Sequence, residues 1–336
     1  MSRTLRSYLN RAAQAYAYLG QPGAPRPVLS VSGGKDSGAL YLFLCYLAGK
    51  YGFEFEAVFA DTGNEHPLTL EYIHDLPRLA GGGPEIKAIE KADFSARIMK
   101  RRAYVAANYP PELAEAILPH LVPTGIPYLD LCIWKGRFPS VTRKFCTVEL
   151  KTIPLREYHN ALVDQGYYVE SWQGVRAEES RDRAALPKRN LEDENLWNVR
   201  PALRWTVQKH ILPLHQYFNV PLNPLYKLGC GRVGCMPCIN CRKEELYQIS
   251  ERWPEVIDRI EAWEKAVSRA SKIGTSTFFH KSGMSAAVKA DRRLIARESG
   301  IRGMVRWAKT KRGGRRYDLF KTLPVPACQS EYGLCE

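Results

Sequence analysis

Val28-Leu29-Ser30-Val31-Ser32-Gly33-Gly34-Lys35-Asp36-Ser37-Gly38-Ala39-Leu40 is the stretch that decides the fold. A short β-branched run at 28–31 passes into a glycine pair and then into an apolar stretch at 38–48, which reads as strand, tight loop and helix. Gly33 and Gly34 let backbone amides approach an anion with no Cβ in the way, and the helix N-terminus that follows turns partial positive charge toward it. Lys35 adds a full charge, and the hydroxyls of Ser32 and Ser37 are donors for phosphoryl oxygens. The order of residues is not the G-x-x-x-x-G-K-[ST] pattern that grips β- and γ-phosphates. A plain glycine turn between strand and helix is the competing account of the same six residues.

Upstream, Leu5, Tyr8, Leu9, Ala12, Tyr16 and Leu19 follow helical spacing, so the Arg-rich, acid-free start of the chain is expected to be a packed amphipathic helix and not a transit peptide. Residues 21–27, rich in Pro and Gly, then form a linker. Downstream, a second strand at 55–60 ends at Asp61-Thr62-Gly63, and a third at 166–173 ends at Gly174-Val175-Arg176. Strands alternating with helices predict an α/β fold, a mostly parallel sheet with helices on both faces. In such sheets ligands sit beyond the carboxyl ends of the strands, where all three loops fall. From about residue 191 the chain is punctuated by Pro and Trp; helices are expected at 243–250 and 254–270. The division expected is a helix and linker (1–25), a nucleotide-binding domain (26–225), and a cysteine-cluster and basic C-terminal region (226–336).

Composition narrows the class. The 336 residues are 45% hydrophobic and 25% charged, an ordinary globular balance, and the longest apolar run (39–48) is half of what a bilayer span needs. The formal net charge is +14. Residues 281–320 supply nine of those fourteen charges, with twelve basic residues against Asp291, Glu298 and Asp318. Such a segment attracts polyanions through counterion release; a solvated basic face is the plainer account. With opposing acids scarce nearby, Arg302, Arg306, Lys309, Lys311, Arg312, Arg315 and Arg316 are expected to be available to DNA or RNA phosphates. Trp307 and Tyr317 are possible stacking surfaces, and Gly313-Gly314 lets the loop conform.

Of nine cysteines, Cys230, Cys235, Cys238 and Cys241 fall within twelve residues. No apolar signal-peptide core precedes them, so a reducing cytoplasm is expected, and there clustered thiols mean metal or redox chemistry. Thiolates this close repel one another unless a cation binds them. Cys45, in an apolar helix, is expected in the core.

The Ser32–Ser37 loop resembles the PP-loop of ATP pyrophosphatases, which cleave between the α- and β-phosphates. Asp61-Thr62-Gly63-Asn64-Glu65-His66-Pro67, Gly174-Val175-Arg176-Ala177-Glu178-Glu179-Ser180, and Asn223-Pro224-Leu225-Tyr226 through Gly234-Cys235-Met236-Pro237-Cys238 resemble the phosphoadenosine phosphosulfate (PAPS) reductase family. The resemblance implies a Rossmann-like, adenine nucleotide alpha-hydrolase-like sheet binding ATP with Mg²⁺. It places Ser32, Gly33, Gly34, Lys35, Asp36, Ser37, Asp61, Thr62, Gly63, Gly174, Arg176 and Arg183 at the nucleotide, with Lys35, Asp36 and Asp61 in catalysis. Adenylyl-sulfate reductases of this family hold a 4Fe-4S cluster with a tandem Cys-Cys and a C-x-x-C. Here the tandem's counterpart is Phe145-Cys146-Thr147, with one cysteine, so the ligands are Cys235 and Cys238 with others from Cys146, Cys230 and Cys241. An iron-sulfur centre, structural Zn²⁺ and free thiols remain alternatives.

Two departures matter. Family reductases have a degraded glycine loop, whereas this one is complete. Their closing Glu-Cys-Gly-Leu/Ile-His resembles Glu331-Tyr332-Gly333-Leu334-Cys335 here, with Tyr at the nucleophile position; Cys328 and Cys335 are either thiol chemistry or incidental. The chain resembles the cysteine-rich ATP pyrophosphatase of DNA phosphorothioation and the cluster-dependent tRNA thiolases. The expected function is adenylylation of an acceptor, in nucleic acid, for sulfur transfer, with a sulfur donor or reductant protein as partner and self-association left open. The alternatives are a sulfonucleotide reductase releasing sulfite and a nucleotide-switched nucleic-acid-binding subunit.

Overall fold

The computed structural model describes residues 3–279 and 290–310. Six strands form one sheet in the order β3-β2-β1-β4-β6-β5: β1 (Arg26–Ser30), β2 (Glu56–Phe59), β3 (Ile86–Ala88), β4 (Val169–Trp172), β5 (Arg189–Asp193) and β6 (Leu196–Val199). All pairings are parallel except β5 with β6. From β1 the chain crosses through the helix Lys35–Tyr51 to β2 and β3 on one side, then returns to β4 on the other. The order therefore reverses between β1 and β4, and loops leaving those two strands open a crevice at their carboxyl ends.

Both sheet faces are covered, which is why β1 and β2 read as apolar runs without alternation. On one face Leu40, Phe43, Leu44 and Leu47 of Lys35–Tyr51 pack with Leu9, Leu29, Trp172 and Trp205. That helix ends at Gly52, whose left-handed conformation (φ 73°) lets its N–H reach Ala48 O. On the other face Leu155 and Leu162, from the helix Ile153–Asp164, meet Val28, Val58, Val169 and Leu196. A separate helical core joins two distant stretches. Phe94, Ile98, Leu129, Leu131 and Leu150 pack with Leu225, Cys230, Leu246, Ile257, Trp263 and Ile301.

Sequence and structure differ at the sheet's edges. Three strands escaped the sequence pattern: β3, with three residues, and β5 and β6, a hairpin turned through Asn195 at φ 63°. β5 carries Arg189, Glu192 and Asp193 and alternates exposed with half-buried positions, as an edge strand does. The N-terminal helix stops at Gln14 and continues as the 3-10 turn Ala17–Gly20, which still delivers Leu19 to the core and sets Tyr16 edge-on to Phe43. Cys45 is half-buried against this core, as expected.

The helix Ile301–Ala308, the last among the described residues, is fastened to the helix Pro254–Arg269 by one carboxylate. Glu264 accepts from Ile301 N at 2.9 and 3.0 Å and from Phe278 N at 2.7 Å. Burial, opposed by those two N–H donors, pushes its carboxyl from an ordinary 4.5 up to about 7. The fold thus holds this proton more tightly than the unfolded chain does. Its contribution to stability is fully present below about pH 4.5 and is lost as pH rises through about 7. Glu264→Gln, neutral throughout, is expected to gain up to about 3 kcal/mol on wild type between those limits, measured by urea unfolding at a series of pH values. A difference that does not change with pH would show that Glu264 titrates normally.

Candidate nucleotide site and cysteine cavity

The loop between β1 and the helix Lys35–Tyr51 is closed by its own hydroxyls. Ser32 N donates to Ser37 Oγ at 3.2 Å, the two hydroxyl oxygens lie 3.1 Å apart, and Ser37 Oγ donates to Gly34 O at 3.2 Å. Gly33 sits at φ 78°, and a Cβ there would come within 2.7 Å of Thr69 Cγ2, so both backbone and space demand glycine. Gly174, just after β4, brings its backbone against the same loop, since a Cβ on it would lie 3.3 Å from Ser37 Cα. The expected loops after β1 and β4 therefore do meet at the crevice.

Asp36 is fully buried between two cations, with Lys35 Nζ 2.9 Å from Oδ2 and Arg176 Nε 2.7 Å from Oδ1. Burial alone would raise its carboxyl; the two cations outweigh that and hold it below the usual range. Asp36 is thus a positioning carboxylate that fixes two positive groups beside the glycine loop. Arg176 also meets Glu178 at 2.8 Å, and buried Arg183 pairs with Glu179, whose carboxylate accepts from Arg176 N. Asp61 accepts from Gly63 N at 2.8 Å and pairs with Lys91 at 2.7 Å.

Three further residues hold the loop from the far side. Lys35 N donates to Tyr226 OH at 3.0 Å, Asn223 Nδ2 donates to Gly33 O at 3.2 Å, and His215 Nε2 donates to Lys35 O at 2.9 Å. Asn223 and Tyr226 belong to a segment already singled out in the sequence. His215 had no legible signal there, being one of two histidines, with His210, in a Pro-punctuated stretch. Its ring fits because position 38 is glycine: a Cβ there would lie 3.0 Å from the imidazole.

Cys146, Cys235 and Cys238 line one cavity, together with Thr62, Tyr128, Lys144 and Lys151. Thr62, expected at the nucleotide, lines this cavity, with Oγ1 3.5 Å from Cys235 Sγ and 2.8 Å from Glu65 Oε1. Its segment is sewn to the cysteine loop by an isolated antiparallel bridge between Glu65 and Cys235. Met236 N donates to Asn64 O at 2.7 Å and Asn64 Nδ2 to Pro237 O at 3.1 Å. The strand-end segment 61–65 therefore has Asp61 at one end and the cysteines at the other.

Burial pushes the Cys146 thiol up to about 12 and raises Cys235 and Cys241 as well. Burial would lower Lys151, but Cys235, Glu65, Cys238 and Cys146 around it more than compensate and favour the ammonium. Sequence reasoning missed Lys151. Cys241 is half-buried where it interacts electrostatically with Glu245 and Cys238. Cys230 does not line the cavity; it is fully buried in the helical core, where it feels Arg252 and Glu245, the carboxylate that also acts on Cys241. Among the described residues no group of three or more His, Cys, Asp or Glu side chains is drawn together as a metal site. The donor set nonetheless suits a soft metal or cluster, with three thiols on one cavity wall and a fourth coupled to Cys238.

The basic helix is less free than expected. Arg302 pairs with Asp258 and lies 3.6 Å from Glu261, Lys309 lies 2.8 Å from Glu251, and Arg306 donates to Arg297 O at 2.6 Å. Acids were counted along the local sequence, whereas these come from the helices Lys243–Arg252 and Pro254–Arg269 packed beside it. Lys311, Arg312, Gly313, Gly314, Arg315, Arg316, Tyr317, Cys328, Tyr332 and Cys335 lie outside the described residues. Among the described residues no helix is long and apolar enough to cross a membrane.

Residues 134–241 match the phosphoadenosine phosphosulfate reductase domain. An uncharacterized 37.8 kDa protein of Escherichia phage 186 is 42% identical over 330 residues, covering 92% of this chain and 96% of its own. Adenosine 5'-phosphosulfate reductase of Allochromatium vinosum is 34% identical over 105 residues, 31% of this chain and 38% of that enzyme. The crystal structure of PAPS reductase from Candida auris aligns over 71% of this chain and 97% of its own at 14% identity, with a TM-score of 0.39. The matched domain runs from the helix before Cys146, through the Gly174 turn abutting the glycine loop, to Cys241, and over these residues the chain carries a PAPS reductase-like domain.

Proposed function

We propose that this protein is a PP-loop ATP pyrophosphatase that adenylylates an acceptor oxygen in nucleic acid so that sulfur can replace it. The observation that carries the proposal is the complete glycine loop, with Lys35 and Arg176 fixed beside it by Asp36. The acceptor oxygen attacks the α-phosphorus of ATP, the bond to the β-phosphate breaks, and pyrophosphate leaves with the electron pair. A hydrosulfide nucleophile then forms the carbon–sulfur bond as the carbon–oxygen bond breaks, AMP leaves with that electron pair, and the sulfur gives up its proton to solvent. Lys35 and Arg176, held before the nucleotide arrives, stabilise charge on the phosphates without reorganising, which is where most of such catalysis arises. Mg²⁺ enters with the nucleotide.

Cys146, Cys235, Cys238 and Cys241 would hold an iron-sulfur cluster, or Zn²⁺ as the alternative. When bound, a cluster supplies an iron site for holding sulfur, while Zn²⁺ would only organise the loop. Lys151, buried against three of these cysteines, balances their charge. A second reading, sulfonucleotide reduction, is favoured by the likeness to adenosine 5'-phosphosulfate reductases over about a third of the chain. Product analysis separates the two. AMP and pyrophosphate from ATP support the first, and sulfite from adenylyl sulfate or PAPS with a thiol reductant supports the second.

Nucleic acid is the proposed acceptor because of the +14 charge and its concentration toward the C-terminus. The ion pairs of Arg302 and Lys309 are half-exposed and therefore weak, so a phosphate can displace them. With about five phosphates engaged, log K is expected to fall against log salt with slope about -3.5 to -4.5. Neutralising Arg306, Lys311 and Arg312 together is expected to flatten it by about 2 to 3. Absence of binding to DNA and RNA at low salt would favour the small-molecule reductase.

A further inference from the structure

Between the starts of the helices Pro67–Leu79 and Pro254–Arg269 lies a cavity of about 450 Å³ that the proposed chemistry does not use. Its walls include His66, Leu68, Trp253, Glu255, Val256 and Arg259. The His66 and Trp253 rings meet edge to face at 4.8 Å, and with Leu68 and Val256 they give it an apolar side.

Its polar groups are of two kinds. His66 is only 7% exposed, and its Nδ1 accepts from Leu68 N at 3.2 Å. Burial and the nearby Arg259 charge keep the ring neutral, so the ring proton sits on Nε2, which has no hydrogen-bond partner among the described residues. Arg259 is anchored from behind, one nitrogen donating to Asn64 Oδ1 at 3.0 Å and to Met236 O at 2.7 Å. Its Nε is buried without a hydrogen bond among the described residues. Glu255 stands one turn before Arg259 on the same helix, a spacing at which opposite charges ordinarily pair. Both line the cavity, yet among the described residues they form no ion pair with each other. The cavity thus brings together donors and a cation, a carboxylate and an aromatic wall.

We propose that this cavity binds a free α-amino acid with an apolar side chain. The ligand carboxylate meets Arg259 and His66 Nε2–H, its ammonium meets Glu255, and its side chain lies against Trp253, Leu68 and Val256. A cavity of this size, mostly apolar with a few convergent polar groups, has the ordinary build of a small-molecule site. The site is independent of the nucleotide loop. Arg259 also bonds Met236, between Cys235 and Cys238, so an occupant gripping its guanidinium would steady the cysteine loop.

The test is isothermal titration of the full-length protein with each apolar proteinogenic L-amino acid, up to about 10 mM. The deaminated acid and the decarboxylated amine of the best binder are titrated alongside. At least one amino acid is expected to bind, with both cut-down analogues at least about tenfold weaker, roughly one charge-assisted hydrogen bond. Glu255→Gln, at an exposed position, is expected to weaken the amino acid about tenfold while leaving the deaminated acid unchanged. Val256→Trp, which fills the cavity, is expected to abolish binding without lowering ATP affinity. The proposal is overturned by no heat from any amino acid, by affinity untouched in both variants, or by an acid that binds as tightly as the amino acid.

Discussion

Lys35→Ala is expected to reduce kcat/KM for ATP cleavage by about 10²- to 10³-fold, with KM rising and kcat falling together. Lys35 is the cation nearest the glycine loop in sequence, and its charge acts on ground state and transition state alike. The variant should still fold, because Arg176 continues to compensate buried Asp36 at 2.7 Å and the backbone bonds of Lys35 to Tyr226 and His215 need no side chain. Asp36→Asn makes a sharper comparison. It is expected to lose activity through misplacement, since Lys35 and Arg176 keep their charges and lose the carboxylate that holds them. Pyrophosphate release, measured with an acceptor present, checks both. Formation of ADP and orthophosphate, or a Lys35→Ala variant with unchanged kcat/KM, would remove the PP-loop assignment.

In the Cys235→Ser, Cys238→Ser double variant, metal content is expected to fall to background, with a drop in melting temperature of about 10 °C. These two cysteines share the cavity wall and lie in the loop bridged to Glu65, so loss of the metal is felt along segment 61–65 as well. Cys230→Ser is the informative control. Because Cys146 lines the cavity and Cys241 interacts with Cys238, whereas Cys230 does neither, that variant is expected to keep its full metal content and Cys146→Ser and Cys241→Ser are not. Iron, sulfide and zinc analysis of anaerobically purified protein reads all four. A metal-free wild type, or a double variant with full metal, would end the assignment.

The glycine loop, the parallel sheet and the Cys235–Cys238 pair were legible because each is written locally, in a handful of adjacent residues whose conformation or chemistry admits few alternatives. What was not legible depended on residues distant in sequence. His215 acts on Lys35 O across the whole β4–β6 region, and nothing around it marks it as different from a core histidine. Lys151 carries no signal of its own in the sequence; only folding brings it among three cysteines. The acids that pair with Arg302 and Lys309 come from neighbouring helices, so a count along the chain could not find them. The neighbours of Thr62 were hidden for a related reason: in the Asp61-Thr62-Gly63 turn Asp61 meets Lys91 while Thr62 meets Cys235, and a motif read as one unit does not separate the two. Strand β5, charged and half-exposed at an edge, carries too little apolar pattern to announce itself.

The helical core has a consequence for synthesis. Half of it, around Phe94 to Leu150, leaves the ribosome well before Leu225 to Ile301 exists to cover it. At translation rates of roughly 5–20 residues per second, that apolar surface waits on the order of 10 s or more without its counterpart. The sheet can assemble during this interval, since β4 and β6 emerge midway. The cysteine cavity, which needs Cys146 from the early half and Cys235 from the late one, is among the last places to close. Shortened chains ending near residue 225 should therefore carry a formed sheet with an uncovered apolar flank and associate with chaperones, whereas chains reaching residue 310 should not.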